Sequence, residues 1–394
     1  MELVIITNLY PSYPNQSLSG VTYALHYFVK EWAKEHEVRV FVPWIHYPKV
    51  FNFSKKGRLK NKGAFEENFY MDNVKITRIP IKKTPRLKIT ARELMKAGDI
   101  ILNHLKSEHF VPNLVLNHRV DPGAPIAGIV ARELKKPLII GLHGSDVINL
   151  LKGKYRQPLY DEALKSSKGI SFRSVSLLKK VEEAFPDFVH SRDVYIAVSG
   201  LKKELYLDER SLRSKTGFFP SKVITVCRLV KNKNVDSIIK AIERLQGLTL
   251  TVVGDGNEKD KLKKLVAKLG IRDRVQFIGG QPREKVIELL RNHHIFAMIS
   301  KNETLGLVYL EAMANGCLTI GSKGEGIDGI IKHKKNGFLC EPGNTGELRE
   351  ILEMIVKINR EEREKIILNA YTTAKNLNLR KVSSDYLKWL EQLL

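Results

Sequence analysis

The sequence predicts an α/β protein built from two doubly wound domains. Three observations carry this: a strand–helix alternation through the first half, a second run of it after Pro220, and a polar, turn-rich stretch over Ser199–Pro220 where the periodicity stops. Alternating βα units place mostly parallel strands in one sheet and cover both of its faces with helices. A length of 394 residues suits two such domains at roughly 100–200 residues each.

Short apolar or β-branched runs mark the strands of the first series at Glu2–Asn8, Glu37–Pro43, Val74–Pro80, Asn113–Leu116, Pro137–Leu142, Gly169–Val175 and Val194–Val198. Helical periodicity fills Thr22–Lys34, Ala91–Leu105, Pro125–Lys136 and Ser176–Phe185. The second series has strands at Lys222–Leu229, Leu248–Gly254, Arg274–Gly279, His294–Ser300 and Cys317–Gly321. Its helices are Val235–Leu245, Glu258–Leu269, Glu284–Arg291 and Leu307–Ala314, and three more close the chain at 344–358, 361–375 and 380–394.

Composition narrows the class. Hydrophobic residues make up 43% and charged residues 28%, which excludes a disordered, collagenous or disulfide-stapled chain. No apolar run approaches the roughly 18 residues of a membrane span, and Leu3–Ile6 is too short for a signal-peptide core, so a cytosolic protein is expected. Cys227, Cys317 and Cys340 lack Cys-x-x-Cys spacing, which fits reduced thiols and argues against structural zinc.

The formal net charge is +23, a bias toward anionic partners. It is concentrated: Lys49–Arg92 holds 13 basic residues against Glu66, Glu67 and Asp72, with Phe51, Phe53, Phe65, Phe69 and Tyr70 interleaved. This stretch is either a solvated insertion or a platform for an anionic partner, such as acidic lipid or a phosphate-bearing acceptor.

In open α/β sheets, ligands sit beyond the carboxyl ends of the strands, where unpaired amides at helix entrances attract anions. The loop after the first strand carries Gly20, which permits close approach of backbone to a phosphate or sugar. His143-Gly144-Ser145-Asp146 follows the fifth strand. Arg228 closes the first strand of the second series, with Lys231 and Lys233 before the next helix; the group is either a solvated loop or a diphosphate site. Gly254-Asp255-Gly256 begins like a dinucleotide fingerprint but has Lys259 at its sixth position and no ribose-binding acid after the next strand, so a nicotinamide or flavin enzyme is not expected. Finally, Glu303 lies in the loop before Leu307–Ala314 and Glu311 one turn inside that helix, with the amides of Gly306 and Leu307 at its entrance.

Glu303 and Glu311 form a Glu-x7-Glu pair within Glu-x-x-Gly-Leu-x-x-x-Glu-Ala-Met-Ala, preceded by Arg228-Leu229-x-x-x-Lys233 and Gly254-Asp255-Gly256. This pattern resembles the retaining nucleotide-sugar glycosyltransferases of family 4 over nearly the whole chain. Ser171-Phe172-Arg173-Ser174 and Asn336-Gly337-Phe338-Leu339 resemble further parts of the family. Leu305 stands where Phe is commoner, Cys227 and Asn234 replace frequent glycines, and the N-terminal loop has Gly20 alone where paired glycines are usual.

The resemblance implies the GT-B fold: two Rossmann-like domains facing a cleft, the acceptor domain at 1–200 plus a returning helix at 380–394, and the donor domain at 201–379. It implies a metal-independent transferase without a cofactor, moving a sugar from a nucleoside diphosphate, UDP or GDP, to a hydroxyl of a glycan or lipid-linked glycan of the cell envelope. Arg228 and Lys233 would neutralise the diphosphate, helped by the amides at Gly306 and Leu307. Glu311 would hold the ribose, Glu303 the donor sugar and His143 the same sugar from the other domain, with Gly254 and Gly20 lining the donor site. The expected location is cytoplasmic, with an anionic membrane surface as a possible partner through residues 49–92 and no nucleic acid. The alternatives are a basic membrane- or nucleic-acid-binding protein on an inactive transferase scaffold and a transferase with a small soluble acceptor.

Overall fold

The computed structural model describes residues 1–10, 24–48, 68–217 and 219–394. Gly20 and the first part of the basic segment, residues 49–67, lie outside them. The chain divides into two compact units. Unit 1 comprises Met1–Arg173, Leu177–Ala197 and Val382–Leu394; unit 2 comprises Ser174–Ser176 and Val198–Lys381.

Unit 1 is built on an eight-stranded sheet of order β3-β4-β2-β1-β5-β6-β7-β8. The strands are β1 (Glu2–Thr7), β2 (Glu37–His46), β3 (Asn68–Met71), β4 (Val74–Lys82), β5 (Leu114–His118), β6 (Leu138–Leu142), β7 (Gly169–Phe172) and β8 (Asp193–Ile196). All pair in parallel except β3, which runs antiparallel to β4 at the edge. Leu3, Val4, Ile5 and Ile6 are all fully buried, as a strand covered on both faces requires.

Unit 2 has six parallel strands in the order β11-β10-β9-β12-β13-β14. They are β9 (Lys222–Val226), β10 (Thr249–Val253), β11 (Val275–Gly279), β12 (Ile295–Ala297), β13 (Leu318–Ser322) and β14 (Phe338–Cys340). The winding reverses direction between β9 and β12, and in unit 1 between β1 and β5. At such a switch point the loops part and leave a crevice.

Several boundaries differ from the sequence reading. The edge strand β3 lies within the basic segment, where its four residues alternate too briefly to stand out. β14 has only three residues. Two helices, Gly144–Leu151 and Pro158–Ser166, occupy the stretch between β6 and β7. The seam holds a further helix, Glu209–Thr216, whose N-cap Asp208 accepts from the Ser211 amide at 2.9 Å. The helix expected from Pro125 spans Val120–Leu134, broken by a kink at the non-helical Asp121, and keeps Pro125 inside its span.

The last helix, Leu379–Glu391, carries the chain from unit 2 back into unit 1. Within unit 1 the Tyr386 ring stacks on Tyr195 at 5.2 Å and meets Trp32 edge-on at 5.5 Å, while Lys168 Nζ donates to the Leu393 carbonyl at 2.7 Å. Buried aromatic pairs of this kind add about 0.5–1.5 kcal/mol each beyond their area. Among the described residues no helix is long and apolar enough to cross a membrane.

Candidate active site

In unit 2 the loops beyond the carboxyl ends of β11, β10, β9 and β12 are latched to one another in series. Asp255, after β10, accepts from the Gly280 amide at 2.6 Å and pairs with Lys259; these contacts hold its carboxyl below the usual range. Its carbonyl accepts from the Leu229 amide at 2.9 Å. A Cβ at Gly254 would lie 1.9 Å from the Cys227 carbonyl oxygen, and one at Gly256 2.1 Å from that of Leu229. The Gly-Asp-Gly triplet therefore lets two loops touch backbone to backbone, a packing reason for the motif.

The loop after β9 is tied in turn to the loop after β12. Asn232 Nδ2 donates to the Lys301 carbonyl at 2.9 Å, and the Lys301 amide to the Asn232 carbonyl at 2.7 Å. Asn234 adopts a left-handed conformation (φ 52°), and its Nδ2 donates to the Ile299 carbonyl at 2.8 Å. An Asn that satisfies its own strain with a side-chain bond thus occupies the place of the frequent glycine.

Lys233 and Glu303 meet in a largely buried ion pair at the centre of this edge. Glu303 is held further by its own amide, which donates to Glu325 Oε2 at 2.9 Å, and by its Oε1, which accepts from the Thr304 amide at 3.1 Å. Arg228 is exposed and makes no ion pair among the described residues. The helix Leu307–Ala314 opens at Gly306 (φ 75°) without a side-chain cap, so its first amides are not claimed by a capping side chain. A Cβ at Gly306 would stand 2.6 Å from the Tyr309 ring, which is pinned by its hydroxyl to the Met298 carbonyl at 2.5 Å.

The two glutamates take different partners. Glu311 is buried, and its Oε1 lies 2.5 Å from Arg283 Nη2. Burial pushes its carboxyl up, and Arg283 opposes the rise. Arg283 opens the helix Arg283–Asn292 after β11, and its buried Nε has no hydrogen-bond partner among the described residues. Sequence reasoning missed both Arg283 and Glu325. The available signal was position alone: each lies just beyond a strand's carboxyl end.

In unit 1, His143 follows β6 and caps the helix Gly144–Leu151; its amide donates to Asp146 Oδ2 at 2.9 Å. Asp146 Oδ1 also accepts from the Val120 amide at 3.2 Å and from the Tyr155 hydroxyl at 3.3 Å. Burial outweighs these bonds and lifts the carboxyl to about 6. His143 Nε2 lies 3.2 Å from His118 Nδ1, His118 Nε2 lies 3.1 Å from the Tyr386 hydroxyl, and that hydroxyl lies 2.8 Å from Ser171 Oγ. Burial, reinforced by buried Arg173, lowers His118 to about 3 and holds His143 well below the usual histidine range.

A pH dependence follows. His118 takes up a proton near 6.5 when unfolded but near 3 when folded, so its contribution is complete above 6.5 and lost as pH falls toward 3. Asp146 acts oppositely: its raised folded pKa favours the folded state as pH falls through 6 toward 3.8. Unfolding of unit 1 can be followed separately, because Trp32, Trp44 and Trp389 all belong to it. Between pH 7 and 5, His118→Gln should lose on the order of 2 kcal/mol less stability than the native chain in urea titrations read by tryptophan fluorescence. Equal losses would show that His118 carries a proton in the folded state.

Residues 208–373 match the family model of glycosyl transferases group 1. N-acetyl-alpha-D-glucosaminyl L-malate synthase of Bacillus anthracis is 30% identical over 215 residues, 53% of this chain and 55% of that protein. The lipopolysaccharide core biosynthesis glycosyltransferase LpsE of Rhizobium meliloti is 34% identical over 35% of this chain and 40% of its own length. The chain thus matches about half of these relatives or less. An uncharacterized glycosyltransferase of Methanocaldococcus jannaschii is 28% identical over 84% of this chain and 91% of its own. Among solved structures, Anabaena HepE in complex with UDP superposes with a TM-score of 0.70 at 17% identity, covering both chains completely. The apo form of the lipopolysaccharide outer core galactosyltransferase WaaB gives 0.67 at 16%, again over both whole chains. The fold is that of the GT-B enzymes, two Rossmann-like units.

Proposed function

From a chain whose family resemblance is to the GT-B glycosyltransferases of group 1, we propose that the protein is a retaining, metal-independent transferase. It moves a sugar from a nucleoside diphosphate to a hydroxyl of a glycan or lipid-linked glycan. The observation that carries this reading is the placement of Arg228, the Lys233–Glu303 pair and the uncapped helix entrance at Gly306 around the switch point between β9 and β12. As the glycosidic bond breaks, negative charge grows on the departing diphosphate. Fixed cations and amides aimed at that charge stabilise it without reorganisation.

Arg228, Lys233 and the amides of Gly306 and Leu307 are assigned to the diphosphate, Glu311 to the ribose hydroxyls and Glu303 to hydroxyls of the donor sugar. When a diphosphate enters, Lys233 exchanges part of its bond with Glu303 for phosphate oxygens, which frees a Glu303 lone pair for the sugar. The donor's own phosphate oxygen takes the acceptor proton in a front-face attack, so no protein base is needed. The HepE structures contain UDP and UDP-glucose, which makes UDP the first nucleotide to test.

UDP, GDP and ADP should be compared by calorimetric melting. A nucleotide present at about 100 times its Kd adds about 2.7 kcal/mol to stability. One nucleotide should raise the melting temperature, and chelation of divalent cations should leave transfer from its sugar donor unchanged. The linkage formed should keep the donor's anomeric configuration by NMR. Inversion would remove the front-face mechanism; indifference to all three nucleotides would remove the donor site.

A further inference from the structure

A second cluster of cations lies in unit 1. A pocket of about 560 Å³ is lined by Lys83, Arg86, Lys88, Lys154 and Arg156, with Asp121 as the one carboxylate among the described lining residues. Its volume falls within the roughly 300–1,000 Å³ of small-molecule sites. None of the five cations forms an ion pair among the described residues. Elsewhere on this unit, cations such as Arg39, Lys75 and Arg132 are paired with glutamates. Asp121 Oδ1 accepts the Tyr160 hydroxyl at 2.5 Å, which fixes its orientation and leaves five cations facing a single carboxylate among the described lining residues.

The pocket also has built walls. Tyr155 and Tyr160 are buried and stacked at 5.6 Å with an interplanar angle of 8°. Leu87, beside the cations, is 62% exposed. Lys83 directly follows β4 and Asp121 lies just past β5, so the pocket opens at the carboxyl edge of the sheet, where ligands of such sheets gather. Tyr155 donates to Asp146, and Asp146 accepts from the amide of His143, which links the pocket wall to the candidate histidine through a single side chain.

We propose that this pocket binds a phosphate or diphosphate group, and that the group belongs to the acceptor substrate. The second half of the proposal rests on the transferase reading. Five cations against one carboxylate among the described lining residues create a positive field that neutral sugars do not need and a phosphorylated ligand satisfies. Arg86 and Arg156 offer forked donors, while Lys83, Lys88 and Lys154 act as point charges. The phosphate has two possible sources, a lipid-linked diphosphate at a membrane surface or a soluble phosphorylated sugar. The chemistry at the pocket is the same for both.

The test uses the full chain and inorganic pyrophosphate as probe. The variant Arg86→Gln/Lys154→Gln/Arg156→Gln changes three exposed side chains, so the fold should persist, with a native melting temperature as the control. Calorimetry at low salt should show a pyrophosphate-binding event that weakens at least tenfold in the triple variant and persists in Arg228→Ala, whereas pyrophosphate bound at the donor residues weakens in Arg228→Ala and persists in the triple variant. Raising the salt should weaken it further. Pyrophosphate binding unchanged in a folded triple variant overturns the proposal.

Cosedimentation with phosphatidylcholine vesicles containing phosphatidic acid separates the sources. Sedimentation of the native chain that the triple variant loses identifies a lipid-borne phosphate; pyrophosphate binding without sedimentation identifies a soluble one. Once a nucleotide sugar is in hand, the triple variant should raise the acceptor KM at least tenfold while donor hydrolysis stays native. If the native chain turns over no nucleotide sugar yet keeps the pyrophosphate event, the anion site stands and the acceptor assignment falls.

Discussion

Arg228→Ala is expected to slow glycosyl transfer by about 10²–10³-fold, equivalent to about 2.7–4 kcal/mol of transition-state stabilisation, with little change in melting temperature. The two halves of this expectation have separate grounds. The kinetic loss follows from removing a cation at the carboxyl edge of unit 2 that forms no ion pair among the described residues, whereas Lys233 is already paired with Glu303. The preserved fold follows from exposure: Arg228 lies beyond β9 with its side chain in solvent, while the neighbouring Leu229 is fully buried and anchors the loop.

Lys233→Ala makes the instructive contrast. It removes a cation too, but it leaves the Glu303 carboxylate, 15% exposed, without its partner, so stability should fall along with rate. Turnover and melting temperature measured on the same preparations separate the two. An Arg228→Ala protein that folds and turns over donor like the native chain has no diphosphate at Arg228.

How much of this was legible in the sequence depends on how far a signal reaches along the chain. β1 and β5 announce themselves because strands buried on both faces read as unbroken apolar runs; in β1, residues 3–6 are all core, so no polar residue alternates with them. The helix Val235–Glu243 is equally plain from its apolar face of Ile238, Ile239 and Ile242. By contrast, β3 and β14 are held by pairing with a neighbour, so their identity resides in β4 and β13. The start of the helix at Val120 was hidden by Pro122, Gly123 and Pro125, residues that suggest a turn although proline is tolerated in a helix's first turn.

The site shows the same division. Arg228, Lys233, Glu303 and Glu311 could be picked out because they punctuate local strand-to-helix transitions. Arg283 could not, because its meaning is its contact with Glu311 on another helix. The chain His143–His118–Tyr386–Ser171 joins β6, β5, the last helix and β7, and no local spacing encodes it. Charge counting found the basic segment, but the cationic pocket needed Lys154 and Arg156 from a different part of unit 1.

The glutamate pair provides the second large effect, and its two members should separate. Glu311→Gln should weaken binding of the free nucleoside diphosphate by roughly 10- to 150-fold, the equivalent of losing about 1.5–3 kcal/mol from a charged acceptor of ribose hydroxyls. It also strips Arg283 of its counter-charge, leaving Nη2 a neutral amide oxygen as acceptor beside the buried Nε that already lacks a partner, so the entrance of the helix Arg283–Asn292 should loosen. Glu303→Gln works in the opposite direction on the same ligand. Neutralising Glu303 releases Lys233 from its ion pair and offers its full charge to the diphosphate, so affinity should be native or tighter. Transfer should nevertheless slow, because the sugar hydroxyls lose their charged acceptor. Isothermal titration of both variants with the nucleoside diphosphate, run beside turnover of the nucleotide sugar, reads all four quantities. Equal losses of diphosphate affinity in the two variants would show that both carboxylates serve the nucleotide, and the assignment of Glu303 to the sugar would have to be given up.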